Sequence, residues 1–146
     1  MTQHTSNIRA FVTAATSNAD EMVSAYCGMV AVELVLKQST GLTDHNVPSA
    51  LNVFAHQFAV GHQRGCKIRL HALSAQLSNA LKAISVQGKD GGARFAPAES
   101  YPYIRYTRHA ADGWPAPATT QQQVKVLADI VISTRSYLAT KFQKSL

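Results

Sequence analysis

Acid is scarce in this sequence. Eight Asp and Glu stand against 14 Lys and Arg in 146 residues, a formal charge of +6 in a chain only 15% charged. A basic excess of this kind suits a polyanionic partner, nucleic acid first and an acidic protein second; the alternative is charge that serves solubility. Cysteine is scarcer still, at two residues. Cys27 and Cys66 have no metal-ligand spacing, which excludes a disulfide framework and a zinc finger, and both read as small core residues in a reducing cytosol. CxxC, HExxH, Walker and GxGxxG patterns are all missing. His56, His62 and His71 invite a metal reading, but no Glu precedes a His by three, as a di-metal helical bundle would need. No metal and no cofactor are expected. No apolar run approaches the roughly 20 residues of a membrane span. The N-terminus has no basic segment leading into an apolar one, so no signal peptide is expected; these absences predict a cytoplasmic protein with no membrane partner. Strand alternation of any length and internal repeats are lacking too.

What is present is helical. With 46% hydrophobic residues the chain is an ordinary globular protein, and its length fits one domain over residues 1–146. The stretch Met22 to Leu36 is apolar on nearly every side, with Glu33 its single charge, which predicts a central helix covered by others. Asn18 with Glu21 offers a capping box, and Gly41 a stop. Glu33 and Lys37, four apart, predict an intrahelical ion pair.

Ahead of this helix, residues 5–16 form a short amphipathic segment capped by Thr5 or Ser6, with Ile8, Phe11, Val12 and Ala15 on one side. A third helix starts near Pro48 and buries Leu51, Phe54, Ala55 and Phe58. Steps of three and four through Cys66, Leu70, Leu73, Leu77, Leu81 and Ile84 predict a fourth helix, ended by Gly88. Gly61 and Gly65 bracket the turn before it. Residues 93–118 hold four of the five prolines, the only Trp and three of the five Tyr, without periodicity. They read as an ordered excursion packed on the helices. Thr120 to Gln123 is a capping box for a last helix whose stripe is Val124, Leu127, Val131, Thr134, Leu138 and Phe142. The expected fold is all-α: an antiparallel four-helix bundle, with a short extra N-terminal helical segment and a long irregular connection before the last helix.

Ala31-Val32-Glu33-Leu34-Val35-Leu36-Lys37 resembles the second-helix signature of the HEPN family, small helical domains associated with nucleotides and RNA. Thr40-Gly41, then Asp44-His45 and Ala50-Leu51, resemble that family's link into the next helix. Ile104-Arg105-Tyr106 resembles its Ala-Arg-Tyr-Pro segment, with Thr107 where the family often has Pro. The match spans roughly residues 20–143. It implies an RNA- or nucleotide-directed module of a toxin–antitoxin or defence system, working as a homodimer or with a nucleotidyltransferase-type partner protein. In the ribonuclease branch, Arg and His separated by four to six residues cleave RNA without a metal: an imidazole takes the 2′-hydroxyl proton and the Arg steadies the phosphate.

Here Arg105 and His109 have three residues between them, while Arg64 and His71 have six. Arg105 and His109 are the candidate catalytic pair. Lys89, Arg94, Tyr106, Arg108 and Trp114 are the candidate RNA or nucleotide contacts, with Tyr101 and Tyr103 as further stacking surfaces. Arg64, His71, Glu33 and His45 are secondary candidates. The opposing reading is an exposed basic loop anchored by its aromatics, with Glu33 satisfied by Lys37, and His45 bonding backbone where the third helix begins. A non-catalytic bundle that binds a protein, or simply dimerises, is the functional alternative. Ile104, Trp114, Tyr137, Met22 and Val23 lie off the main stripes and argue for a dimer interface.

Overall fold

A computed structural model describes residues 3–17, 20–43, 45–58, 64–96, 101–144 and 146, with backbone alone for residues 3–6, Phe58 and Arg64. The chain is mostly helical. Among the described residues five α-helices run in order: α1 (Gln3–Ser17), α2 (Glu21–Thr40), α3 (Val47–Phe58), α4 (Arg64–Lys82) and α5 (Gln121–Phe142). Between α4 and α5 lie strands β1 (Ser85–Gln87) and β2 (Ala93–Phe95) and two short 3-10 turns, Tyr101–Tyr106 and Ala110–Asp112.

The central position of α2 follows from its apolar circumference. It packs against α1, α3 and α5, and also against the 101–106 turn. Helices α3 and α4 pack on each other, and α4 meets α5, so α2 to α5 close a ring of neighbours with α1 laid on the outside of α2. The core this ring encloses includes Met29, Val32, Leu36, Leu51, Phe54, Leu70, Leu77 and Leu127. The α5 stripe from Val124 to Leu138 is buried, and Thr120 with Gln123 forms the expected capping box. Gly41 ends α2 with a φ of 77°, in the left-handed region that favours glycine.

Several boundaries differ from expectation. The N-cap of α2 is Asp20, whose carboxylate accepts the Val23 N–H at 2.9 Å; Asn18 lies outside the described residues. Thr5 and Ser6 fall inside α1, which begins at Gln3. Asn46 caps α3 through the Ser49 N–H. Gly65 does not delay α4, which starts at Arg64, while Gly61, His62 and Asp44 are outside the described residues.

The largest correction is at the end of α4. That helix stops at Lys82, so Ile84 is buried from an extended segment, and Gly88 opens a hairpin instead of closing a helix. Strands of three residues are too short for alternation to register, which is why the antiparallel pair β1–β2 escaped notice. Ser85 pairs with Phe95, Val86 with Arg94 and Gln87 with Ala93. The turn is closed by Gly88 N–H to Gly92 C=O at 2.7 Å, and Gly91 takes a φ of 82°.

The excursion after the hairpin is ordered by bonds to β1. Arg108 N–H donates to Ser85 C=O at 2.8 Å, and Thr119 N–H to Arg108 C=O at 2.6 Å. The Thr119 hydroxyl accepts the Ser85 N–H at 2.9 Å. Tyr101 and Ile104 are buried and pin the 101–106 turn. Ile104 and Met22 therefore serve the chain's own core, and Tyr137 is half-buried beside Phe142; of the apolar residues off the stripes, Val23 and Trp114 remain exposed. Both cysteines are half-buried and free rather than fully enclosed. Among the described residues, no helix is long and apolar enough to cross a membrane.

Candidate functional site

Two features gather the chemistry-bearing side chains: a knot around the buried Glu33 of α2 and an open hollow at the hairpin. In the knot, Glu33 is turned inward from the apolar face of α2. Lys37 Nζ lies 2.7 Å from its Oε1, one helical turn on. His45 Nδ1 approaches both carboxylate oxygens, at 3.1 and 3.2 Å. The Tyr101 hydroxyl is the third donor. Burial alone would push the Glu33 carboxyl up, but the hydrogen bonds from Lys37, Tyr101 and His45, with the Lys37 charge, hold it below its ordinary value. Burial pushes the Tyr101 hydroxyl up, and the Glu33 bond and charge raise it further, so Tyr101 stays a donor. His45 thus bonds a carboxylate, where backbone was expected, and its ring stands edge-on to Tyr101 at 6.1 Å. The knot ties the α2–α3 link and the 101–106 turn to α2.

The hollow is assembled by that same turn and by the hairpin. Gln87, Gly88, Lys89, Arg94, Tyr103 and Tyr106 line a space of about 390 Å³. The fold thereby brings Lys89, Arg94 and Tyr106 together. The Arg94 guanidinium sits 4.8 Å above the Tyr103 ring, and the Arg105 guanidinium 5.6 Å from the Tyr106 ring. Tyr106 is 54% exposed, so much of its ring is open to a ligand. Among the described residues no acid lines the hollow; Asp90, at the hairpin tip, turns its carboxylate to the Gly92 N–H at 2.9 Å. Gln87 is the lining side chain that sequence reasoning missed. Only the strand register, which sets it beside the Arg94 segment, would have found it.

The remaining candidates are dispersed. Arg105 is exposed, and its Nε–H donates to Pro102 C=O at 3.2 Å. His109 lines a different, smaller hollow with Asp20, Glu21 and Asp112. Arg105 and His109 therefore face different surroundings, one basic and aromatic, the other acidic. Arg108 is buried, stacked 4.5 Å from the Trp114 ring, and its Nε has no hydrogen-bond partner among the described residues. His71 Nδ1 is 2.7 Å from Asn52 Oδ1, a link between α4 and α3. The side chain of Arg64, its proposed partner, lies outside the described residues. No group of three His, Cys, Asp or Glu among the described residues is arranged to hold a metal.

The chain matches no protein-family model, no curated protein and no solved structure.

Proposed function

We propose that this protein is an RNA- or nucleotide-directed module of the HEPN-like, four-helix type, serving a cytoplasmic toxin–antitoxin or defence system, and that the hairpin hollow is its contact point. One observation carries the reading: two cations and two tyrosines line one hollow, with no acid among its described lining residues. Lys89 and Arg94 offer donors to a phosphate, Arg94 with a planar fork that suits it. Tyr106 offers a ring face on which a base can stack.

The test is fluorescence anisotropy with a short single-stranded RNA and with a mononucleotide, over a range of salt. Affinity is expected to fall with salt as phosphate contacts release counterions, and Arg94→Gln should reduce the slope by about one unit. Tyr106→Ala should weaken binding by about 1–3 kcal/mol at every salt concentration. Binding unchanged in both variants would sink the assignment. For cleavage, the same RNA is incubated in chelator with the unaltered protein and with His109→Ala. Loss of cleavage confined to the variant is the result that makes His109 the acid or base.

A further inference from the structure

On the face of the molecule formed by α1, α2 and α5 lies a second hollow of about 630 Å³. Its volume falls within the range of small-molecule sites. Next to Arg135, which lines it, α5 comes close to α2 at Gly28, where a Cβ would lie 2.6 Å from Val131 Cγ1 and 3.3 Å from Arg135 Cδ. Small and hydroxyl side chains line much of it: Ala15 and Thr16 from α1, Ser24 from α2, Ala139 and Thr140 from α5.

Among the described residues, the charged side chains lining this hollow are Glu21, Lys125, Asp129 and Arg135, and Leu146 lines it as well. Three of these charges answer one another. Lys125 Nζ is 3.0 Å from Asp129 Oδ2, and Glu21 adds its charge to Lys125. Arg135 is different. Its Nε is buried without a hydrogen-bond partner, and no described residue forms an ion pair or hydrogen bond with its guanidinium. Burial lowers its pKa, and no neighbouring anion offsets that effect. It stands six residues beyond Asp129, about 9 Å along the helix, so the acids lie toward the other end of the hollow. An uncompensated, half-buried guanidinium is costly, and a bound carboxylate would meet it with charge-assisted hydrogen bonds.

We propose that the α1–α2–α5 hollow binds a small organic carboxylate, its head at Arg135 and Ser136 and its apolar body toward Ala128 and Ile132. A bare inorganic anion would leave most of the space and its apolar walls unused. The site is independent of the hairpin hollow and of any RNA binding.

The experiment is isothermal titration calorimetry of the full chain with octanoate, using octylammonium and inorganic phosphate as controls. Octanoate is expected to bind saturably at one site per chain, with neither control doing so. Arg135→Gln should weaken octanoate roughly tenfold or more, the expected effect of losing charged hydrogen bonds. Ser136→Phe, at an exposed residue, should weaken it comparably by filling the hollow while leaving Arg135 in place. It keeps the test decisive if Arg135→Gln fails to fold. Equal binding of octanoate and octylammonium, phosphate binding as tightly as octanoate, or unchanged affinity in a folded variant would overturn the proposal. So would absence of saturable octanoate binding.

Discussion

At the scale of single residues, Glu33 is the side chain with most at stake. A carboxylate that is 8% exposed needs its donors, and it has Lys37, His45 and Tyr101. Replacing Tyr101 by Phe removes one donor from a buried charge and is expected to cost about 1–3 kcal/mol, read from urea unfolding. The pH dependence has a definite sign. The folded-state pKa of Glu33 lies below its ordinary value of 4.5, so its ionised form stabilises the fold above that value. That stabilisation should disappear as pH falls through the lowered pKa. Glu33→Gln should therefore be less stable than the unaltered protein at neutral pH, with the gap narrowing on acidification below 4.5. A constant gap from pH 7 to pH 3 would show that the charge of Glu33 contributes nothing.

At the scale of elements, the α2–α5 contact turns on Gly28. Adding a methyl group there would gain about 1 kcal/mol of helix propensity in isolation. The contact of 2.6 Å with Val131 Cγ1 works against it, since that atom belongs to a buried, β-branched side chain with little room to yield. Overpacking of this kind costs about 1–3 kcal/mol, so Gly28→Ala is expected to be net destabilising in denaturant melts. The start of α5 gives a milder case. Thr120→Ala removes a reciprocal cap and should cost about 1 kcal/mol, with the loss felt first in amide exchange over Gln121 to Val124. The hairpin is held differently: its outer strand β2 is short, and β1 takes further bonds from Arg108 and Thr119. Its tip carries Lys89 into the hollow, so hairpin order and the shape of the site are coupled.

At the scale of the whole molecule, the formal charge of +6 has a local consequence at the hairpin. Lys89 and Arg94 share the hairpin hollow, and Arg105 lies beside it on Tyr106. His109 lies among Asp20, Glu21 and Asp112. A polyanion approaching this protein should meet the hairpin face first, and doubling the salt should slow association more for RNA than for a neutral ligand. Stopped-flow association rates measured at two ionic strengths check this; equal slowing of both ligands would mean that the charge serves solubility.

What the sequence by itself determined is local. The apolar circumference of Met22 to Leu36 identified α2 as central, because a helix without a polar face must be covered. The i, i+4 spacing announced the Glu33–Lys37 pair, and Thr120 with Gln123 announced a capping box, since each involves groups within one helical turn. The aromatic, proline-rich connection was legible as ordered because so many large side chains need packing. What only the tertiary structure decided involves partners distant along the chain. Tyr101 and His45 reach Glu33 across long separations, so no periodicity could reveal that they share one carboxylate. The hairpin was hidden because three-residue strands carry no pattern, and with it the meeting of Lys89 and Arg94 with Tyr103 and Tyr106. Arg105 and His109, close in sequence, were sent to different surroundings by the 3-10 turn and by the bridge that pairs His109 with Thr119. Arg135 gave no sign in one dimension, since an unpaired guanidinium is defined by what fails to reach it, and that is settled only when the helices pack.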